Sequence, residues 1–185
     1  MMNQGDKKIT LHPVLFFYSA FIGIALAISY FSQHHPFFKT ELKKIEWWHP
    51  AIGLGVAFLV VGISFCLTRY LGFAQKLEEE FKKHLTPLDL HSIFGMAAAS
   101  ALGEEFLFRG VLQPQLGLFG TSIIFGLFHF PFKKELLAWS IMALVMGFVL
   151  GGLYEYTGNL LASILCHFGI NFLNILIMNK RTSSQ

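Results

Sequence analysis

The chain has 185 residues, the length of one ordinary domain, and 54% of them are hydrophobic while only 14% are charged. Soluble domains carry about 25% charged residues. This composition, with its mean hydropathy of +0.56, excludes disorder, coiled coils and collagen and argues against an ordinary soluble enzyme. The net charge of +3 is small and spread along the chain, which does not favour a nucleic-acid surface. Both cysteines, Cys66 and Cys166, lie in apolar runs, so no disulfide framework is indicated.

Apolar runs long enough to cross a bilayer recur along the whole chain. A helix needs about 20 mostly apolar residues to do so, and we predict six transmembrane helices, at residues 13–32, 50–69, 89–113, 117–132, 136–155 and 159–179. The first run is too long for the apolar core of a cleaved signal peptide, so we predict that it stays in the protein. The expected fold is all-α, a polytopic membrane helix bundle that forms a single integral membrane domain over 1–185.

Two further sequence patterns predict an amphipathic helix and a close helix–helix contact. Residues 70–85 carry an apolar stripe at helical spacing beside Glu/Lys pairs, which predicts an amphipathic helix at the cytoplasmic membrane surface or extending the second span. Gly147 and Gly151 form a GxxxG in the fifth predicted span, and close helix packing is its expected role.

The basic residues favour an orientation with both termini in the cytoplasm. Three basic residues then fall outside, Lys39, Lys43 and Lys44, and Arg109 lies within a span. Ten fall inside, namely Lys7, Lys8, Arg69, Lys76, Lys82, Lys83, Lys133, Lys134, Lys180 and Arg181.

Three charged residues stand within a predicted span, where a single charge costs about 2.5–3.5 kcal/mol on insertion scales. Glu105 and Arg109 are four residues apart and therefore share a helical face suited to an ion pair. Glu104 is rotated by about 100° from Glu105, so it is left available as a general base. A buried polar group that only holds helices together is the structural alternative.

Two histidines also lie in apolar runs, His129 in the fourth predicted span and His167 in the sixth. His167 and Asn171 are four residues apart and share a face. Together with Glu104, these residues can supply a base, an acid and hydrogen-bond donors for a developing oxyanion.

Other peptidase chemistries fit the sequence less well. No histidine is followed by glutamate, so the HExxH of zinc metalloproteases is missing. Of the two aspartates, Asp6 lies in the N-terminal tail and Asp89 at the start of a predicted helix, and no GxSxG frames Ser163 as a nucleophile. Glu104, His129 and His167 are nevertheless ordinary zinc ligands, and metal binding stays open.

Three motifs in order resemble those of the CAAX prenyl protease and bacteriocin-processing family, also called CPBP or Abi. Residues 104–109 fit EExxxR, residues 125–129 fit FxxxH, and residues 167–171 fit HxxxN. Residues 154–159 also resemble the family's YxxTG turn. The match covers about residues 90–175, so that 90–179 is expected to form a four-helix catalytic core and 1–89 to supply helices without motifs.

The resemblance implies a glutamic-type intramembrane endopeptidase that needs no cofactor. Glu104 would activate water with the help of His129, and His167 and Asn171 would stabilise the oxyanion. Glu105 and Arg109 would then be supporting residues. A zinc-dependent version of the same protease, an older view of the family, is the alternative.

The depth of the motif residues sets a condition on the fold. Glu104 and His167 lie well within their predicted spans, whereas His129 falls near the cytoplasmic end of its own. A single site therefore requires tilted, staggered or shorter helices, and Pro131 favours a helix end directly after His129. We expect a water-accessible cavity that opens towards the cytoplasm or the adjacent lipid.

The resemblance and the short chain favour a bacterial protein of the inner or plasma membrane. The expected substrate is a membrane-associated protein or peptide, such as a C-terminal tail or sorting signal. Two other classes are compatible with the same residues: a non-catalytic membrane scaffold or immunity protein, and a small transporter whose polar groups line an ion pathway.

Overall fold

The structure is a computed structural model that describes residues 9–31, 45–85, 87–130 and 136–183. In these ranges the chain forms helices and no strands. The elements are α1 (Leu11–Phe31), α2 (Trp48–Tyr70), α3 (Gly72–Leu85), α4 (Leu90–Leu107), a π-helical turn (Phe108–Leu112), α5 (Gln113–Phe128), α6 (Leu137–Thr157) and α7 (Leu160–Ser183).

Five helical stretches in the described residues are long and apolar enough to cross a membrane. They are Leu11–Phe31, Trp48–Tyr70, Leu90–Phe128, Leu137–Thr157 and Leu160–Thr182. Large apolar side chains such as Phe16, Phe58 and Phe119 are exposed on their outer faces. Because such a surface is unstable in water and suited to hydrocarbon, the protein is an integral membrane protein, as the composition predicts. The all-α fold is confirmed.

The sequence predicts that the third and fourth spans cross the membrane separately, but the structure joins them in one helical stretch. Leu90–Phe128 is one helical stretch of 39 residues, broken inside by Gly117, whose φ of 67° and ψ of 174° are not helical. Glycine tolerates this backbone because it has no Cβ. Beyond Gly117 the chain folds back, since the rings of Phe125 and Phe128 lie 4.9 and 5.7 Å from the ring of Phe108.

The arm after Gly117 is too short to cross a bilayer. Residues 118–128 rise about 16 Å as a helix, against a hydrocarbon core of about 30 Å. His129, which ends this arm, lies inside the bundle beside Glu104, with 3.7 Å between its Nε2 and Glu104 Oε2. The predicted helix break at Pro131 lies outside the described residues.

The amphipathic helix α3 lies against one end of the bundle. Leu71 is extended, with φ −118° and ψ 120°, and separates α3 from α2. Phe81 packs on Trp139 at the start of α6, with ring centroids 5.4 Å apart, and Glu78 accepts a 2.7 Å hydrogen bond from Arg181 at the end of α7. This end is called the α3 end below. Most of the loop lysines on which the predicted orientation depends (Lys7, Lys8, Lys39, Lys43, Lys44, Lys133 and Lys134) lie outside the described residues.

Local hydrogen bonds fix the helix ends that matter for the site. Asp89 caps α4 by accepting a 2.7 Å bond from the Ser92 N–H, and this bond lowers the pKa of the Asp89 carboxyl below its ordinary value. At the opposite end, buried His49 of α2 contacts the side chain of Asn159 in the turn between α6 and α7. That turn contains Gly158, with φ 67°.

The α5–α6 contact depends on the small residues of the GxxxG. A Cβ on Gly147 would lie 3.0 Å from Ser122 Cα, whereas a Cβ on Gly152 would meet nothing within 4 Å. The structure thus uses the GxxxG for packing within the chain.

We expect Gly147→Ala to lower the apparent melting temperature in detergent by about 3–10 °C, because the backbone of α5 must move to admit the methyl group. Gly152→Ala on the same helix is the matched control and should leave the melting temperature unchanged or raise it. Equal melting temperatures for the two variants would contradict the packing described.

Candidate active site

A buried ion pair lies at the centre of the bundle. Arg109 Nη1 donates to Glu105 Oε1 over 3.1 Å, and both side chains are fully buried. The pair spans four residues, as the spacing predicts. Arg109 also donates through Nη2 to the carbonyl oxygen of Gly147, 3.1 Å away, and its guanidinium lies 4.5 Å from the centre of the Phe125 ring. These contacts fix both charges against α5 and α6.

The same carboxylate orients one of the predicted site histidines. His167 Nδ1 lies 2.8 Å from Glu105 Oε1, so the Nδ1–H donates to the carboxylate. The other ring nitrogen, Nε2, consequently faces Glu104, with 3.9 Å between it and Oε2.

His129 is oriented by its own helix. Its Nδ1 lies 2.8 Å from the Phe125 carbonyl oxygen, and because a carbonyl only accepts, Nδ1 carries the hydrogen. Its Nε2 therefore also faces Glu104, with 3.7 Å between it and Oε2. Because the arm of α5 that ends at His129 is short, His129 reaches the same part of the bundle as Glu104 and His167, as a single site requires.

Glu104 is buried, and its Oε2 accepts no hydrogen bond from the described protein groups. Both distances to the histidine nitrogens exceed those of direct hydrogen bonds. Three polar atoms around one small space form a site for a water molecule, which can bond two or more of them at once.

Asn171 is placed one helical turn after His167. Its Nδ2 donates to Ser100 Oγ over 2.9 Å, and Ser100 donates to the Ala97 carbonyl oxygen over 3.1 Å. An amide nitrogen carries two N–H donors, so this bond orients Asn171 and leaves it a second donor.

Glu104, His129, His167 and Asn171 line one cavity of about 580 Å³. Its wall is mostly apolar and extends to the α3 end, where Glu78, His84 and Arg181 contribute polar groups. The structure thus brings together all four residues predicted as catalytic, and Glu105 and Arg109 lie directly behind them. Their catalytic roles stay predictions.

Sequence reasoning missed Tyr18. This residue of α1 lines the same cavity, and its hydroxyl interacts with the Glu104 carboxylate. A tyrosine in the middle of an apolar span is the signal that could have found it, since a buried phenol hydroxyl generally takes a polar partner.

The zinc alternative is not matched by a preformed ligand set. Among the described residues, no group of three or more His, Cys, Asp or Glu side chains is arranged to hold a metal.

Comparison with known proteins places these residues in a family. The family model described as type II CAAX prenyl endopeptidase Rce1-like matches residues 86–173, which include all the predicted site residues. YpbD of Bacillus subtilis (strain 168), an uncharacterized protein, is 32% identical over 131 residues, which are 69% of this chain and 66% of that protein. No solved structure matches the chain.

The fold and the polar cavity therefore define an integral membrane protein with a charged, polar centre. Its sequence matches a family of intramembrane proteases. Through residues 86–173 the chain belongs to the Rce1-like family of CAAX prenyl endopeptidases. This confirms the resemblance drawn from the motifs.

We expect Glu105→Gln to destabilise the fold strongly, because it leaves the Arg109 charge buried without its partner, a loss of about 3–5 kcal/mol. Thermal unfolding of the purified variant measures this, with Glu79→Gln on the exposed face of α3 as the control. The double variant Glu105→Leu/Arg109→Met removes both charges and should recover part of the lost stability. No recovery would show that the charges do not act as a pair.

Proposed function

We propose that this protein is an intramembrane endopeptidase in which Glu104 activates a water molecule for attack on a peptide bond. The observation that carries the proposal is the position of Glu104 Oε2 beside Nε2 of both His129 and His167. Each Nδ1 is already bonded to a fixed acceptor, so both rings present Nε2 to the same point.

The charges of the buried cluster assign the two histidines different roles. Glu104, Glu105 and Arg109 together carry one net negative charge, which is unfavourable inside a membrane. Protonation of His167, which lies between the two carboxylates, neutralises the cluster and makes Nε2 a donor. His129 has only a carbonyl as its Nδ1 partner, so in neutral form its Nε2 accepts a hydrogen bond.

The reaction then follows from these positions. Water donates hydrogen bonds to Glu104 and to His129 Nε2, and it attacks the carbonyl carbon as Glu104 takes a proton. His167 Nε2–H and the second N–H of Asn171 stabilise the negative oxygen. The C–N bond breaks, and Glu104 returns the proton to the leaving amine, giving a carboxylic acid and an amine.

The cavity favours an apolar substrate segment. Side chains such as Phe81, Trp139 and Met142 form its wall between the site and the α3 end. A membrane-associated protein or peptide, for example a C-terminal tail, would enter there. The basic residues of the sequence favour the cytoplasmic side for this end, and a bacterial plasma membrane is the proposed location.

We expect Glu104→Gln to lower the rate of cleavage at least about 100-fold, because the general base is lost. Membranes of cells making the native protein and the variant at equal abundance are compared for peptide termini by mass spectrometry, with Glu79→Gln as the control. Termini present with the native protein and the control but missing with Glu104→Gln would give the substrate sequence.

If the native protein and a folded, equally abundant Glu104→Gln variant give identical peptide termini, the peptidase proposal is overturned and a scaffold or immunity role is favoured. A pH gradient dissipated in proteoliposomes would favour transport instead. Loss of cleavage with a chelator, restored by zinc, would favour the zinc-dependent version.

We expect Tyr18→Phe to lower cleavage about tenfold, the value of one hydrogen bond to a charged group, while the variant stays folded in detergent. Tyr30→Phe on the exposed surface of the same helix is the matched control. Full activity of Tyr18→Phe would show that its hydroxyl plays no part in the reaction.

A further inference from the structure

A ladder of polar contacts runs behind the proposed active site, away from the α3 end. Arg109 donates to the carbonyl oxygen of Gly147 over 3.1 Å, and Gln113, four residues later, donates to that of Gly151 over 3.0 Å. Gln113 Nε2 also donates to Glu155 Oε1 over 3.1 Å. Because Glu155 is exposed near the end of α6, polar groups connect that surface with Glu105 and the site.

Several polar atoms along this ladder have no hydrogen-bond partner among the described protein groups. They are Glu105 Oε2, Arg109 Nε, Gln113 Oε1, Thr121 Oγ1 and Ser122 Oγ, all buried. Buried polar atoms are almost always bonded, to protein or to internal water. The set contains one N–H donor, two acceptors and two hydroxyls that can do both, which is what bridging water requires.

The glycines bring these atoms together. Ser122 Cβ lies 3.1 Å from where a Cβ of Gly147 would stand, and the Gly147 carbonyl is already bonded to Arg109. Gln113 Oε1 lies 2.8 Å from the corresponding position at Gly151. Arg109, Gln113 and Ser122, three of the residues with unpaired atoms, therefore meet α6 at one interface between the π turn, α5 and α6.

We propose that internal water molecules occupy this interface, from Gln113 to Glu105, and supply the water consumed at Glu104 from the side opposite the cavity mouth. An apolar substrate filling the cavity would close the direct route to solvent, whereas this polar route passes behind it. The supply role rests on the proposed peptidase function, but the water site itself does not.

A crystal structure in a lipid phase, at a resolution that shows ordered water, tests the site directly. We expect water within about 2.7–3.2 Å of Arg109 Nε and Ser122 Oγ. Protein partners for both atoms, with no water density, would overturn the proposal whatever the protein catalyses.

The double variant Thr121→Val/Ser122→Ala tests the supply role. We expect it to lose the water density and to slow the cleavage identified with Glu104→Gln about tenfold, the loss that two ordinary hydrogen bonds represent, at an unchanged melting temperature. Ser163→Ala is the matched control, because this buried hydroxyl already donates to the Leu160 carbonyl oxygen over 3.0 Å.

The outcomes separate the two proposals. Lost density with full cleavage would overturn the supply role. If Glu104→Gln changes no termini while water is present in the native structure, the peptidase proposal fails and the water site stands.

Discussion

The Glu105 carboxylate is the group on which the arrangement of the bundle depends. One of its oxygens accepts from Arg109 of its own helical stretch and from His167 of α7, so a single buried charge fixes two helices. Arg109 passes the constraint on to α6 through the Gly147 carbonyl. A buried ion pair contributes little net stability once desolvation is counted. Its value here is in specifying the orientation of His167, and with it the direction in which Nε2 points.

Glycine and small residues make that polar centre possible within a membrane. Without side chains at Gly147 and Gly151, the carbonyl oxygens of α6 are open to donors from a neighbouring helix. GxxxG motifs are usually discussed as contact surfaces between helices in lipid. In this protein the close approach also provides hydrogen-bond acceptors for Arg109 and Gln113. Without these acceptors, burying the two polar side chains in an apolar environment would be costly.

Local patterns in the sequence determined the parts of the fold that depend on spacing within one helix. Four spans were placed to within a few residues, and the pairs Glu105/Arg109 and His167/Asn171 share faces as predicted. The fold-back was not foreseen as such, because the backbone of Gly117 depends on how the two arms pack and not on a local pattern.

Contacts between distant parts of the chain could likewise not be predicted from the sequence. Tyr18 meets Glu104, and His49 meets Asn159, across gaps in sequence that no periodicity relates. The four predicted catalytic residues were found because each stands out as polar in an apolar run, whereas Ser100 and Gln113 do not.

The half-length arm of α5 has a further consequence for position 129. A helix that ends inside the hydrocarbon region leaves carbonyl groups without partners, and lipid cannot supply any. The His129 ring bonds the carbonyl oxygen of Phe125, and Ser140 donates to that of His129 itself over 2.9 Å. His129 is thus the cap of a truncated helix as well as a candidate catalytic group. Selection can preserve this histidine for the integrity of the membrane fold even in a descendant that has lost all chemistry, so its presence alone is weaker evidence of activity than the presence of Glu104.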